Sequence, residues 1–142
     1  MNTWINSRKC SRCKNYCVMT GEKTIPILRI FDYNKAIEFY VNWLGSTIEW
    51  EHVFVQNMPV YMEVSKDGIT LHLSEHHGDS TPGARVFIWC TALKEYHQSL
   101  LNKQYKYNRP GLEETFYDAW CMEVIDPFGN RLTFNEKKKP GP

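Results

Sequence analysis

One pattern of hydrophobic periods and turn residues runs through the chain twice, and this limits the fold to something built from two like halves. In the first copy, residues 25–30 form a short apolar run of period two. Asp32 follows as a cap, and Ala36, Ile37, Tyr40, Trp43 and Leu44 then recur at helical spacing until Gly45 ends the helix. Residues 48–55, 60–64 and 69–73 read as strands, and Asp67-Gly68 between the last two is a hairpin signal. In the second copy, residues 85–90 read as a strand. Leu93, Tyr96, Leu100 and Leu101 mark a helix ending near Asn102, and further strands are expected at 105–107, 120–125 and 131–134. The echo extends to residues: Met62-Glu63-Val64 before Asp67-Gly68 and Thr70-Leu71-His72-Leu73 is answered by Met122-Glu123-Val124 before Gly129 and Arg131-Leu132-Thr133-Phe134. The expectation is an α+β fold of two tandem βαβββ modules, residues 24–77 and 84–136, within a domain spanning 23–136.

At 142 residues and 42% hydrophobic content the chain is long enough to bury one core. No run approaches the roughly 18 consecutive apolar residues a membrane span needs, and no signal peptide is legible at the N-terminus, so a cytoplasmic location is expected. Seven of the seventeen Lys/Arg sit in the first eighteen residues and the last six. Residues 19–136 are left with ten Lys/Arg against all sixteen Asp/Glu, a net of −6. Such an acidic body disfavours nucleic acid and suits a cationic partner, although it also serves solubility.

Five cysteines are an odd number and argue against a disulfide framework. Cys10, Cys13 and Cys17 form a C-x2-C-x3-C cluster one ligand short of a closed zinc site. The simpler expectation is that residues 1–22 are an N-terminal arm, disordered or a leader with Met19 as a start, and that residues 137–142 are a flexible tail.

Four stretches carry a resemblance: Ile27-Leu28-Arg29-Ile30-Phe31-Asp32 with Ala36 and Glu38-Phe39-Tyr40; Leu71-His72-Leu73-Ser74-Glu75-His76-His77-Gly78-Asp79; Arg109-Pro110-Gly111; and Asp126-Pro127-Phe128-Gly129-Asn130-Arg131-Leu132. With the duplication they resemble the glyoxalase, bleomycin-resistance and dioxygenase proteins of the vicinal oxygen chelate superfamily, and among them the bleomycin-resistance-type branch. The resemblance implies that each module curls a mixed sheet into half of a cup and that two modules enclose a site. Strand alternation then places Ile25, Ile27 and Arg29 toward the cup in the first module, and Arg85, Phe87 and Trp89 in the second. Thr70 and His72, matched by Arg131 and Thr133, supply the wall from the last strands.

Metal-dependent members carry one ligand on the first strand and one on the last strand of each module. The repeat locates those places at Ile25 and His72, 47 residues apart, and at Arg85 and Thr133, 48 apart. Only His72 is a conventional ligand: isoleucine has no donor, arginine stays cationic, and a lone hydroxyl binds zinc or iron poorly. A two-residue shift in register gathers nothing better, since Ile27, Phe87 and Thr70 replace the others. No metal and no other cofactor is therefore expected, with His72 as a remnant position. His76, His77, Asp79 and Glu75 form a second polar group, for which a role in ordering the linker between modules is the plainer expectation.

Bleomycin-resistance proteins bind the drug in crevices at a homodimer interface and leave it unaltered. The resemblance thus implies a small-molecule binder and an antibiotic-resistance role, with no catalytic residue, and with bleomycin or a similar cationic, aromatic molecule as ligand. The residues expected to line the site are Arg29, Tyr61, His72, Arg85, Phe87, Trp89, Phe116, Tyr117 and Trp120. The alternative is a glyoxalase-like lyase, isomerase or thiol transferase with a degenerate metal site around His72. The chain departs from the family pattern at Phe116-Tyr117-Asp118, where relatives often carry Pro-Trp-Gly, and at Ala92, where Asp32 has its repeat equivalent, so Thr91 is expected to cap the second helix.

Overall fold

A computed structural model describes residues 18–53 and 55–139. The Cys10/Cys13/Cys17 cluster and residues 1–17 of the expected arm lie outside them. The first module runs β1 (Ile27–Arg29), helix α1 (Tyr33–Ala36, continuing as a π-helical stretch over Ile37–Trp43), β2 (Thr47–Val53), β3 (Val60–Lys66) and β4 (Ile69–Ser74). The second runs β5 (Arg85–Trp89), α2 (Leu93–Asn102), β6 (Glu113–Glu114), β7 (Ala119–Ile125) and β8 (Arg131–Lys137). Each module folds its strands into an open four-stranded mixed sheet, ordered β1-β4-β3-β2 and β5-β8-β7-β6. In each the first strand lies parallel to the last, and the remaining pairs are antiparallel.

Local chemistry explains most boundaries. Asp32 accepts a hydrogen bond from Lys35 N at 3.0 Å and caps α1. Gly45, at φ 87°, ends the helix in the left-handed conformation that glycine takes without a Cβ clash. Asp67 and Gly68 both have positive φ, the requirement of the tight hairpin turn joining β3 to β4. The π-helical widening, seen in the bond from Leu44 N to Phe39 O, is a departure from the regular helix read in the sequence.

Three expectations are corrected. Residues 105–107 are not a strand: the chain leaves α2 through Gln104 at φ 53° and turns, and the Tyr105 ring packs 5.1 Å from that of Trp43 in the first module. The pairing strand is the two-residue β6, further along. Thr91 does not cap α2, whose N-cap is Ala92 at φ 57°; the exposed amides are satisfied from β8, where Glu136 accepts from Ala92 N and Leu93 N at 2.9 and 3.0 Å. Finally, β8 continues to Lys137, carrying the strand into the segment expected to be tail.

Alternation sorts the first and last strands of each module as expected. Leu28, Ile30, Met62, Val64, Leu71 and Leu73 of the first module join Ile88, Met122, Val124 and Leu132 of the second in one hydrophobic cluster on the helix-bearing sides. Polar contacts cross between the modules within it. Tyr40 Oη donates to Asp126 at 2.6 Å, Trp43 Nε1 to Leu100 O at 3.2 Å, Tyr96 Oη to Leu44 O at 2.7 Å and Asn130 Nδ2 to Arg29 O at 2.8 Å. The opposite side of each sheet is left open, with Ile27, Trp50, Phe87 and Trp89 exposed there.

Candidate functional site

The open face of the first module is organised around His72. Strand register places Ile27 and Glu63 beside it on either side, so Ile27 rather than Ile25 is its neighbour on the first strand. A β-bulge between Ile48 and Trp50 slips β2 by one residue. Without it Trp50 would share the helix-bearing side with Ile48; with it Trp50 lies opposite Glu63 on the open face. There the Trp50 ring stacks on Tyr61, 5.8 Å between centroids at 7°, and meets His72 nearly edge-on at 5.3 Å. Both ring nitrogens of His72 are engaged: Nδ1 lies 2.7 Å from Tyr61 Oη and Nε2 lies 2.8 Å from Glu63 Oε2. Burial, with the charges of Asp79 and Glu63, raises the Tyr61 phenol above its ordinary value of 10.0.

The equivalent face of the second module has different chemistry. Phe87 sits beside Thr133 as Ile27 sits beside His72, and Glu123 opposes Thr133 as Glu63 opposes His72. Here the carboxylate is met by two guanidinium groups, Arg85 at 3.2 Å and Arg131 at 3.3 Å. Next to them Phe87, Trp89 and Tyr117 form a corner of three rings with centroids 5.0 to 6.2 Å apart. Tyr117 is pinned by donating to the buried Asn135 at 2.6 Å. With Asp118, Lys137 and Lys138 these rings line an opening of about 390 Å³, and the Lys137 ammonium lies 5.2 Å from the Trp89 centroid.

Of the residues expected to line a site, Tyr61 and His72 come together on one face and Arg85, Phe87, Trp89 and Tyr117 on the other. Arg29 stands apart, 4.8 Å over the Phe31 ring, beside an opening shared with Asn57, Met58, Pro59 and Glu75. Phe116 is fully exposed and touches Tyr117 only at the rim. Trp120 is corrected: it pairs with Glu136 on the helix-bearing side, where Lys94 of α2 covers its ring at 4.4 Å, and so does not face the cup. Trp50 and Glu63 were missed. Glu63 had a signal, since Met62-Glu63-Val64 recurs as Met122-Glu123-Val124; Trp50 had none, because a bulge reverses its face.

The donor set does not fit a metal centre. The positions on the first and last strands hold Ile27, His72, Phe87 and Thr133 by observed register, three of them without a strong donor, and His72 uses both nitrogens in hydrogen bonds. Among the described residues no three His, Cys, Asp or Glu side chains converge as a metal site would require. Around His76 and His77 the chain leaving β4 is fixed by its neighbours: Ser74 Oγ donates to Asp79 at 2.6 Å and accepts from His76 N at 3.0 Å, while Glu75 accepts from Val60 N at 3.0 Å.

Two open βαβββ sheets sharing one core, each with an aromatic-bearing face, define a duplicated glyoxalase-type fold. The profile of the glyoxalase superfamily proteins matches residues 10–141, and the chain belongs to that family. Solved structures share the fold. A glyoxalase family protein from Bacillus anthracis is 17% identical, with 85% of this chain and 100% of that one covered and a TM-score of 0.65. A bleomycin-binding protein complexed with bleomycin is 16% identical, with 83% and 100% covered and a TM-score of 0.63. TnmS3, an antibiotic binding protein from Streptomyces sp. CB03234, is 17% identical, with 84% and 100% covered and a TM-score of 0.60. No curated protein matches the chain by sequence.

Proposed function

We propose that this protein is a homodimeric binder of a cationic, aromatic antibiotic, of which bleomycin is the type, and that it sequesters the molecule in the cytoplasm without altering it. The observation that carries this reading is the pair of open, ring-bearing faces, Trp50/Tyr61/His72 on one sheet and Phe87/Trp89/Tyr117 on the other. Tyr61, His72 and Tyr117 are fixed by hydrogen bonds beside rings suited to stacking, and Glu63 supplies negative charge next to the first group. Two fold neighbours, one bound to bleomycin and one described as antibiotic binding, support the same reading. The half-buried free thiols of Cys90 and Cys121 suit a reducing compartment. No helix among the described residues is long and apolar enough to cross a membrane.

The lyase or transferase alternative gains no support from His72, whose ring has no lone pair free for a metal while Tyr61 and Glu63 hold it. Titration of the full chain with metal-free and copper-loaded bleomycin, followed by tryptophan fluorescence, tests the proposal. A saturable change with the drug recovered intact by mass spectrometry is expected. A drug product whose formation stops on adding a chelator would overturn it.

A further inference from the structure

The direction of the hydrogen bonds around His72 follows from chemistry. The Glu63 carboxylate has no proton to give, so His72 Nε2, 2.8 Å away, must carry one. In the neutral ring Nδ1 is then a bare acceptor, and the Tyr61 phenol, 2.7 Å away, donates into it. Every proton of the chain Tyr61, His72, Glu63 is thus directed inward, along the network. What the network turns toward an approaching molecule is lone pairs: those of the phenol oxygen and those of the carboxylate. The Trp50 ring, stacked on Tyr61, adds a flat face beside them.

We propose that the first module's face selects its ligand for N–H donors: it takes a flat cationic amidinium or guanidinium group, held against Trp50 by hydrogen bonds to Tyr61 Oη and Glu63, and rejects carboxylates. The inference rests on the binder reading and adds the ligand class of one half of the site. The second module's face offers the reverse: Thr133 stands where the first has His72, and the carboxylate of Glu123 is taken up by Arg85 and Arg131 instead. A molecule spanning both faces would carry its cationic end in the first module.

Two measurements on the full chain test this. Ring-nitrogen NMR shifts of His72, recorded on the neutral ring, should show the proton on Nε2; a ring carrying it on Nδ1 overturns the inference. Titrations with benzamidine and with benzoate, followed through the His72 and Trp50 resonances, should favour benzamidine by about tenfold or more, the scale of one charge-assisted hydrogen bond. Glu63→Gln, close in shape, should bring that preference near unity. Equal binding of the two probes, no binding of either, or a preference unmoved by Glu63→Gln overturns it. A bleomycin response without benzamidine selectivity would sink this inference and leave the binder reading standing.

Discussion

Asp126 joins the two modules through one carboxylate. Its oxygens accept from Tyr40 Oη across 86 positions at 2.6 Å, from Phe128 N at 2.9 Å, from Asn130 N at 2.7 Å and from Asn130 Nδ2 at 2.8 Å. Burial nevertheless lifts its carboxyl above the ordinary 3.8, with those four hydrogen bonds pulling the other way. The folded state therefore holds this proton more tightly than the unfolded chain. The group's contribution to stability is complete below about 3.8 and is lost as pH rises through the raised folded value. Tyr40→Phe removes one bond that favours the ionised form, so it should cost about 1–3 kcal/mol at neutral pH and less in acid. Urea unfolding at several pH values checks this, and a loss independent of pH would refute it. None of this network was legible beyond the Asp-Pro-Phe-Gly-Asn turn itself, because its partner Tyr40 reads as one more apolar position in a helical stripe. The site divides similarly. His72 and Tyr61 were legible from repeat position and residue type. Glu63 carried a signal in the repeated Met-Glu-Val that a reading for hydrophobic alternation passed over, and Trp50 was hidden by the bulge.

At the scale of elements, α2 shows a start supplied from far away in sequence. Its stripe of Leu93, Tyr96 and Leu100 was legible, and the helix runs over the expected residues. Its cap was not, since Glu136 lies 44 positions away and only the folded sheet brings it to Ala92 N. Two substitutions separate the terms. Glu136→Ala should cost about 0.5–2 kcal/mol, as loss of a cap does. Ala92→Gly should stabilise by roughly 0.5–1 kcal/mol, because glycine removes the Cβ penalty of the left-handed conformation at φ 57°. Thermal melts would show opposite shifts in melting temperature; a destabilising Ala92→Gly would contradict the strain. Residues 105–107 went astray for a related reason. The two tyrosines flanking Lys106 suit a strand by propensity, but the Tyr105 ring gains more against Trp43 and Phe39, where burial and the neighbouring Glu38 also push its phenol up to about 12. Asp32, Gly45 and Asp67-Gly68 act within a few residues, which is why they could be read directly.

For the whole molecule, the open faces raise the question of what covers them. Ile27 on β1 is 39% exposed and Phe87 on β5 is 52% exposed, and each strand is the outermost of its sheet. Trp50 and Trp89 add 43% and 49% exposed rings on the same open sides. Apolar side chains clustered on a sheet edge are a surface that water leaves uncovered only at a cost, and edge strands offer unpaired backbone groups as well. A second copy supplies both kinds of partner, and the homodimer proposed above then gives each cup one face from each chain. Sedimentation velocity at micromolar concentration should find a dimer. Ile27→Asp and Phe87→Asp should each shift it toward monomer, since a buried carboxylate without a partner disfavours the contact. If the ligand is held between chains, it binds the dimer and not the monomer, and mass action requires it to strengthen dimerisation as its concentration exceeds its dissociation constant. Bleomycin should therefore restore dimer in a mildly weakened variant such as Ile27→Ser. A drug that binds with equal affinity to monomer and dimer would place the whole site within one chain.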